Sequence, residues 1–180
     1  MINLITAVLL ILFAAFSRLL PHPMNFAPIT AIALFSGVYL NKKYAFIIPI
    51  AALLISDAII GFYNGIEWIY GSFLLIGLIG LWLKSRVKDA GAGKKTAYIA
   101  STSIVSSMLF FIITNFGLWT SGFLYERTFS GLVQCYTMAI PFFRNTLAGD
   151  LVYVAVMFGV YELVTRLANK PQLVANRIDK

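Results

Sequence analysis

The chain has few of the residues that build most enzyme sites. Its 180 residues include one cysteine, one histidine and seven acidic residues, and only 12% of the chain is charged. A single cysteine excludes an internal disulfide, and the absence of a Cys/His cluster argues against a structural zinc. The sequence also lacks a phosphate-binding P-loop, a GxGxxG fingerprint and a His-Glu-x-x-His motif. We therefore expect no cofactor and no metal site, and we predict that the chain is not an enzyme.

Apolar residues make up most of the chain instead. They account for 60% of it, with a mean hydropathy of +0.86, whereas a soluble domain is about 45–50% apolar. A helix that crosses a membrane needs roughly 20 mostly apolar residues. Six segments approach that length, namely 2–20, 26–40, 44–62, 66–83, 96–117 and 142–168.

The predicted fold class is therefore an all-α integral membrane protein, a bundle of six transmembrane helices. Residues 131–140 form a predicted extra half-helix, re-entrant or interfacial, which Pro141 separates from helix six. The predicted organisation is one transmembrane domain over residues 1–168, followed by a basic cytoplasmic tail over residues 169–180.

The distribution of the fourteen Lys and Arg residues predicts an orientation, because cytoplasmic loops carry the excess of positive charge. With six spans, only Arg18, Arg127 and Arg144 lie on one side. The other eleven lie on the opposite side: Lys42, Lys43, Lys84, Arg86, Lys88, Lys94, Lys95, Arg166, Lys170, Arg177 and Lys180. We therefore predict both termini to be cytoplasmic and the location to be the bacterial inner membrane. A basic face beside anionic lipid explains the net charge of +7, so no nucleic-acid partner is expected.

Ionisable and amide side chains converge on the outer end of the predicted bundle. An ionisable group inside a span is expensive, so it pairs with another group or faces a watery cavity. Asp57 and Arg144 lie at similar predicted depths and are predicted partners. Asp150 lies about 9 Å deeper than Arg144 and on the opposite helix face, so Asn115 and Asn145 are its predicted partners. The alternative is a structural network that only fixes helix register.

Further candidates lie near the same end of the bundle. Trp68, Tyr70 and Trp119 form either an aromatic belt at the membrane interface or the apolar walls of a small-molecule site. His22 is either a solvated loop imidazole or a contact to a ligand or a metal ion, and Cys135 is expected to be an inert, packed thiol. The predicted substrate-binding residues are His22, Asn25, Asp57, Trp68, Tyr70, Asn115, Trp119, Arg144, Asn145 and Asp150.

Several motifs carry a resemblance to a known family. They are His22-Pro23-x-Asn25-Phe26-x-Pro28-Ile29 after Arg18, Trp68-x-Tyr70-Gly71-Ser72-Phe73, Thr114-Asn115-Phe116-Gly117-x-Trp119, and Pro141-Phe142-Phe143-Arg144-Asn145-Thr146-Leu147-x-Gly149-Asp150. With these motifs, about residues 10–165 of the chain resemble a family of small bacterial membrane proteins. That family is similar to the S components of energy-coupling-factor vitamin transporters, particularly the solitary, cobalamin-transporter-like ones.

This resemblance implies a six-helix bundle with both termini inside and a substrate cavity that opens outward. Solitary cobalamin-type relatives use a histidine, an aspartate and an arginine at positions that His22, Asp57 and Arg144 match here. The position of their cysteine ligand to cobalt is held by Tyr70 or a neighbour.

Three functions remain as hypotheses. The first is a membrane protein that binds a vitamin-like small metabolite outside and takes it up, alone or with an ATP-driven energy-coupling module. The resemblance implies that such a module docks on small residues of helix one, here Ala7, Ala14, Ala15 and Ser17. The second is a structural or accessory subunit of a larger membrane complex with no ligand of its own. The third, an intramembrane enzyme, requires a nucleophile beside a base, and the sequence shows no such pair.

Overall fold

The computed structural model describes residues 2–21 and 23–178, and it describes the side chains of residues 4–21 and 23–167. The described chain consists of six α-helices and contains no strand. The helices are α1 Ile2–Leu19, α2 Ile29–Tyr39, α3 Tyr44–Ile60, α4 Ile66–Val87, α5 Ala92–Ser121 and α6 Phe129–Ile178. The predicted all-α class and the number of main helices are confirmed.

The helices differ in how far they reach. Three of them are long and apolar enough to cross a membrane, namely α4, α5 and α6 as far as Leu167. The other three are shorter apolar helices, and α2, with 11 residues, is only about 16 Å long. Large apolar side chains such as Leu9 of α1, Ile59 of α3 and Leu78 of α4 are more than half exposed. The outer surface is therefore apolar, as on a protein that lipid surrounds.

Helix α2 lies at the centre of the bundle and contacts each of the other five helices. Ten of its eleven residues are buried. Its close approach to α4 depends on glycine, because a Cβ atom on Gly37 would lie 2.7 Å from the carbonyl carbon of Gly80. A Cβ atom on Gly80 would in turn lie 3.1 Å from the carbonyl oxygen of Ala33. The two helices therefore pack backbone against backbone, as small residues allow in membrane bundles.

Side-chain contacts show that successive helices run in opposite directions. Arg18, near the end of α1, pairs with Asp57, near the end of α3, so α1 and α3 run in the same direction. At the opposite end of the bundle, Lys84 of α4 donates to the carbonyl oxygen of Leu40, just after α2, at 3.0 Å. We call these two ends of the bundle the Asp57 end and the Lys84 end.

Helices α5 and α6 pack antiparallel along their length. The hydroxyl of Tyr136 donates to the carbonyl oxygen of Ile112 at 2.7 Å towards the Asp57 end. Towards the Lys84 end, the ammonium of Lys95 pairs with the carboxylate of Glu162 at 2.5 Å. Helix α6 continues to Ile178, so the backbone of residues 169–178, predicted as a separate tail, is helical.

The prediction of a separate half-helix over residues 131–140 is wrong. Helix α6 passes through Pro141 without a break. Proline removes only one backbone donor, and a helix supported by a packed neighbour tolerates that loss. Here α5 supplies the support, since the rings of Phe111 and Phe143 lie 4.8 Å apart just beyond the proline.

Candidate functional site

A cavity of about 230 Å³ lies inside the bundle towards the Asp57 end. All six helices contribute to its lining. Its apolar walls include Leu53, Ile69, Phe73 and Phe110, and its polar lining consists of Arg18, Asn25, Thr30, Tyr63, Thr146 and Asp150. We call this space the central cavity. Concave apolar walls with a few convergent polar groups are the usual form of a small-molecule site.

A buried ion pair borders the central cavity. The side chain of Asp57 is fully buried, and its carboxylate lies 2.8 Å from the guanidinium of Arg18, whose side chain is 16% exposed. The hydroxyl of Tyr70 donates to the same carboxylate at 2.9 Å, and Arg18 also donates to the hydroxyl of Ser56. The negative charge of Asp57 is therefore matched by one cation and supported by a further donor.

The predicted pairing of Asp57 with Arg144 is wrong. Arg144 is exposed and makes no ion pair with any described residue. The physical reason is the arrangement of the helices. In the part of the chain that the structure describes, α3 and α6 do not contact each other, whereas α1 and α3 pack side by side. Arg18 therefore occupies the position beside Asp57 that the sequence assigned to Arg144.

Asp150 is the second buried carboxylate, and its surroundings differ from those of Asp57. It is 2% exposed. The hydroxyl of Ser107 donates to its carboxylate at 2.6 Å, and the hydroxyl of Thr30 is a second hydrogen-bond partner. Among the described residues, no basic side chain lies within ion-pair distance of it. Asp150 thus presents hydroxyl-bonded but otherwise unpaired acceptor atoms at the wall of the central cavity.

The predicted amide partners of Asp150 are also wrong. Asn115 donates to the carbonyl oxygen of Phe111 within its own helix, at 2.7 Å. It lies eight residues beyond Ser107, which places it about 12 Å further along α5. Asn145 precedes Asp150 by five residues, so it points to a different face of α6. Hydroxyl groups on α5 and α2 take the place that the amides were expected to fill.

Tyr63, in the turn between α3 and α4, extends the polar lining. It lies beside Arg18 and lines the central cavity. Partial burial, together with the nearby carboxylate of Asp57, raises the pKa of its phenol. Tyr63 is therefore a neutral hydrogen-bonding group at neutral pH.

Sequence reasoning places Arg18 and Tyr63 among the polar residues at this end of the bundle, but it did not assign them to the binding site. It did not assign Thr30, Ser107 or Thr146 to the site either. These three hydroxyl residues carry no local signal, because Ser and Thr recur throughout the membrane-type helices of this chain.

Other predicted residues lie around the cavities with more limited roles. Asn25 lines the central cavity, and its backbone has a φ of 62°, a left-handed conformation that asparagine tolerates. Asn115 lines an adjoining cavity of about 100 Å³, which shares Asn25 and Thr146 with the central cavity. Asn145 is half-buried and lines neither of these cavities, and His22 lies outside the described residues.

The two predicted tryptophans serve packing rather than the central cavity. The indole of Trp68 lies 5.8 Å from the ring of Phe116 and directly against Gly117, where a Cβ atom would overlap it. The indole N–H of Trp119 donates to the carbonyl oxygens of Glu126 and Thr128, at 3.0 and 3.2 Å. These contacts fix α4 to α5 and hold the connection between α5 and α6.

The described residues contain no group of three or more potential metal-ligating His, Cys, Asp or Glu side chains. The thiol of Cys135 is buried and donates to the carbonyl oxygen of Asn115 at 3.4 Å. The structure therefore places this thiol in the packing between α5 and α6.

A protein-family model matches residues 1–173, almost the whole chain. The chain belongs to the DUF6580 family. The function of this family is unknown. The comparison with curated proteins gives no match, and the comparison with solved structures gives none either. The resemblance of this DUF6580 protein to energy-coupling-factor S components therefore stays a prediction.

Proposed function

We propose that this DUF6580 protein crosses the bacterial inner membrane six times, binds a small, vitamin-like metabolite in the central cavity and takes it up from outside. Three helices are long and apolar enough to span, and α1 and α3, with 18 and 17 residues, reach about 26–27 Å. The short α2 is compatible with a sixth crossing because protein rather than lipid surrounds it. Irregular backbone at membrane depth is tolerated where it is buried in protein.

The alternating helix directions and the charges support one orientation. The loops and helix ends at the Lys84 end carry an excess of lysine and arginine, including Lys42, Lys43, Lys88 and Lys94. The positive-inside rule assigns such an end to the cytoplasm. The central cavity then lies towards the outside, and both chain termini lie in the cytoplasm.

The environment of Asp150 is the observation that carries the binding proposal. A buried carboxylate with only hydroxyl partners is incompletely compensated, and a ligand that brings an ammonium or several N–H groups would complete its environment. Apolar walls at Phe73 and Phe110 suit a ring or an alkyl body. The ligand that fits is therefore a small molecule with a cationic or N–H-rich group and an apolar body.

The volume of the central cavity limits the size of that ligand. Its 230 Å³ is below the roughly 300–1,000 Å³ of sites for drug-sized molecules. A molecule with one or two small rings is compatible with this space. A cobalamin is far too large for it.

A thermal-unfolding panel tests the proposal on detergent-purified protein. Small amines, zwitterions and N–H-rich vitamins are compared with carboxylic acids of matched size. A ligand at about 100 times its Kd adds about 2.7 kcal/mol to the stability of the folded state. We expect Asp150→Asn to abolish the stabilisation. Asp89→Asn removes the same charge at an exposed position after α4, and it should leave the stabilisation intact.

Two outcomes contradict the binding proposal. One is a ligand that stabilises wild type and Asp150→Asn equally, since the carboxylate would then play no part. The other is a panel without any stabilising compound together with a co-purifying membrane protein, which favours the accessory-subunit hypothesis.

The structure also bears on an energy-coupling partner. Ala7, Ala14 and Ala15 of α1 are buried inside the chain, and Ser17 is half-buried and donates to the carbonyl oxygen of Ala14. These residues are therefore occupied by contacts within the chain. The exposed surface of α1 consists of larger side chains such as Leu9, Phe13 and Phe16. Uptake of an identified ligand into proteoliposomes that contain this protein alone distinguishes independent transport from transport that requires an ATP-driven module.

A further inference from the structure

A second and larger cavity lies between α5 and α6 towards the Lys84 end. Its volume is about 610 Å³. We call it the α5–α6 groove. On α6 its lining runs from Leu151, next to Asp150, to Arg166, and Tyr39 at the end of α2 also contributes. None of the polar groups of the central cavity lines it, so it is a separate site.

The α5–α6 groove is long, and its chemistry changes from one end to the other. Fifteen residues of α6 separate Leu151 from Arg166, which corresponds to about 22 Å along the helix axis. Half of a bilayer core measures about 15 Å. The deep part is apolar, with Val154 and Phe158, and the polar side chains gather at the other end. This combination fits a molecule with a long apolar chain and a polar head.

The polar end carries a surplus of positive charge. Lys95 pairs with Glu162 at 2.5 Å, while the Nε atom of Arg166 lies 3.6 Å from the other oxygen of Glu162. Two cations and one carboxylate leave a formal charge of +1 at this end. The ammonium of Lys95 also lies over the ring of Tyr39 at 5.8 Å, and the side chain of Arg166 is 65% exposed, so it can donate to a further anion. A phosphodiester with a single negative charge complements this end in both charge and hydrogen bonding.

We propose that the α5–α6 groove binds an anionic phospholipid of the surrounding membrane. The phosphate lies between Lys95 and Arg166, and an acyl chain lies along the apolar wall towards Leu151. Basic pockets between helices on the cytoplasmic side suit anionic headgroups, and the positive-inside rule assigns this end to that side. The inference rests on the membrane placement of the chain but not on the metabolite in the central cavity.

Gly159 provides a way to fill the groove. It lines the α5–α6 groove, and a Cβ atom placed on it would meet nothing within 4 Å. Gly159→Leu therefore projects a bulky side chain into the groove. Gly71 of α4 is a matched control, because it is also a helical glycine whose Cβ direction is open and it lies outside the groove.

The test uses the full chain in mixed micelles with phosphatidylglycerol or with phosphatidylcholine of the same acyl chains. Native mass spectrometry counts the lipids that each variant retains. We expect wild type to retain phosphatidylglycerol in preference to phosphatidylcholine. Lys95→Gln and Arg166→Gln should each weaken its retention about fivefold, and Glu162→Gln should strengthen it by a similar factor. Gly159→Leu should remove the preference, and Gly71→Leu should keep it.

Lys88→Gln controls for general surface charge, since Lys88 is exposed on the same end of the bundle and lies outside the groove. Equal retention of the two lipids by wild type would overturn the proposal. So would Lys95→Gln and Arg166→Gln variants that lose no more phosphatidylglycerol than Lys88→Gln. If Lys95→Gln or Arg166→Gln fails to fold, the other two variants test the proposal, because Gly159→Leu fills the groove and Glu162→Gln makes its polar end more positive. A Gly159→Leu variant that keeps the lipid preference, together with a Glu162→Gln variant that does not strengthen it, would then overturn the proposal.

Discussion

Replacing Arg18 by methionine removes the cation beside a fully buried carboxylate. Arg18 lies 2.8 Å from Asp57, whose side chain is 0% exposed, whereas the side chain of Arg18 is 16% exposed. Removal of one partner from a buried pair leaves an uncompensated charge, which destabilises the folded state by about 3–5 kcal/mol. Asp57→Asn is expected to destabilise less, about 1–3 kcal/mol, because the remaining cation reaches solvent and still donates to Ser56.

The combined variant Arg18→Met with Asp57→Asn separates pairing from packing. It contains neither charge, so it should be more stable than Arg18→Met alone even though it carries one more substitution. The sum of the losses in unfolding free energy in the two single variants should therefore exceed the loss in the combined variant by about 2 kcal/mol or more. Tyr70 then donates to the side-chain amide oxygen that Asp57→Asn introduces instead of a carboxylate, so its hydrogen bond is weakened but kept.

The single cysteine provides the assay. Cys135 is 1% exposed, so a thiol-reactive fluorescent dye reports unfolding in detergent without an added label. A loss of 3–5 kcal/mol corresponds to a decrease in Tm of about 6–20 °C for a chain of this size. Arg86→Met is the matched control, because this exposed arginine lies over the ring of Trp82 at 5.1 Å and its removal should change stability by about 1 kcal/mol or less.

Either of two results would refute the reasoning about this ion pair. One is an Arg18→Met variant that is as stable as Arg86→Met, which would mean that water or another group compensates Asp57. The other is strict additivity in the combined variant, which would mean that Arg18 and Asp57 contribute independently.

Glycine substitutions test the packing with the same dye. Gly37→Ala should lose about 1–3 kcal/mol, because its Cβ would lie 2.7 Å from the backbone of Gly80, whereas Gly71→Ala should gain up to about 1 kcal/mol. Equal effects of these two would contradict the close packing of α2 on α4. Gly117→Ala should destabilise because its Cβ overlaps the ring of Trp68, and in a Trp68→Ala background the same change should cost nothing. If Gly117→Ala still destabilises the protein in the Trp68→Ala background, its Cβ clashes with a group other than Trp68.

The helices could largely be predicted from the sequence because length, apolar composition and breaking residues determine them locally. The predicted segment 44–62 corresponds to Tyr44–Ile60, and 26–40 corresponds to Ile29–Tyr39. The error at Pro141 has a physical origin, since the sequence shows the missing donor but not the contact between α5 and α6 that keeps the helix continuous.

The partners of the buried carboxylates could not be predicted because they depend on which helices are neighbours. Depth along each segment was sufficient to place Asp57 and Asp150 among buried polar groups. It was not sufficient to choose Arg18 over Arg144, because both lie close to the same end of the bundle. The choice is made by the contact between α1 and α3, for which neither segment carries a local signal.

The two buried carboxylates, Asp57 and Asp150, differ in how completely other side chains compensate their charge. Asp57 has a cation and a phenol donor, and these bonds join α1, α3 and α4. Asp150 faces the central cavity with hydroxyl donors alone, and on the same helix as Ser107 the buried hydroxyls of Ser103 and Ser106 have no hydrogen-bond partner among the described residues. Each such group destabilises the folded state by about 1–3 kcal/mol. Both hydroxyls lie within four residues of Ser107, so the incompletely bonded hydroxyls of α5 are grouped beside the side chain that donates to Asp150.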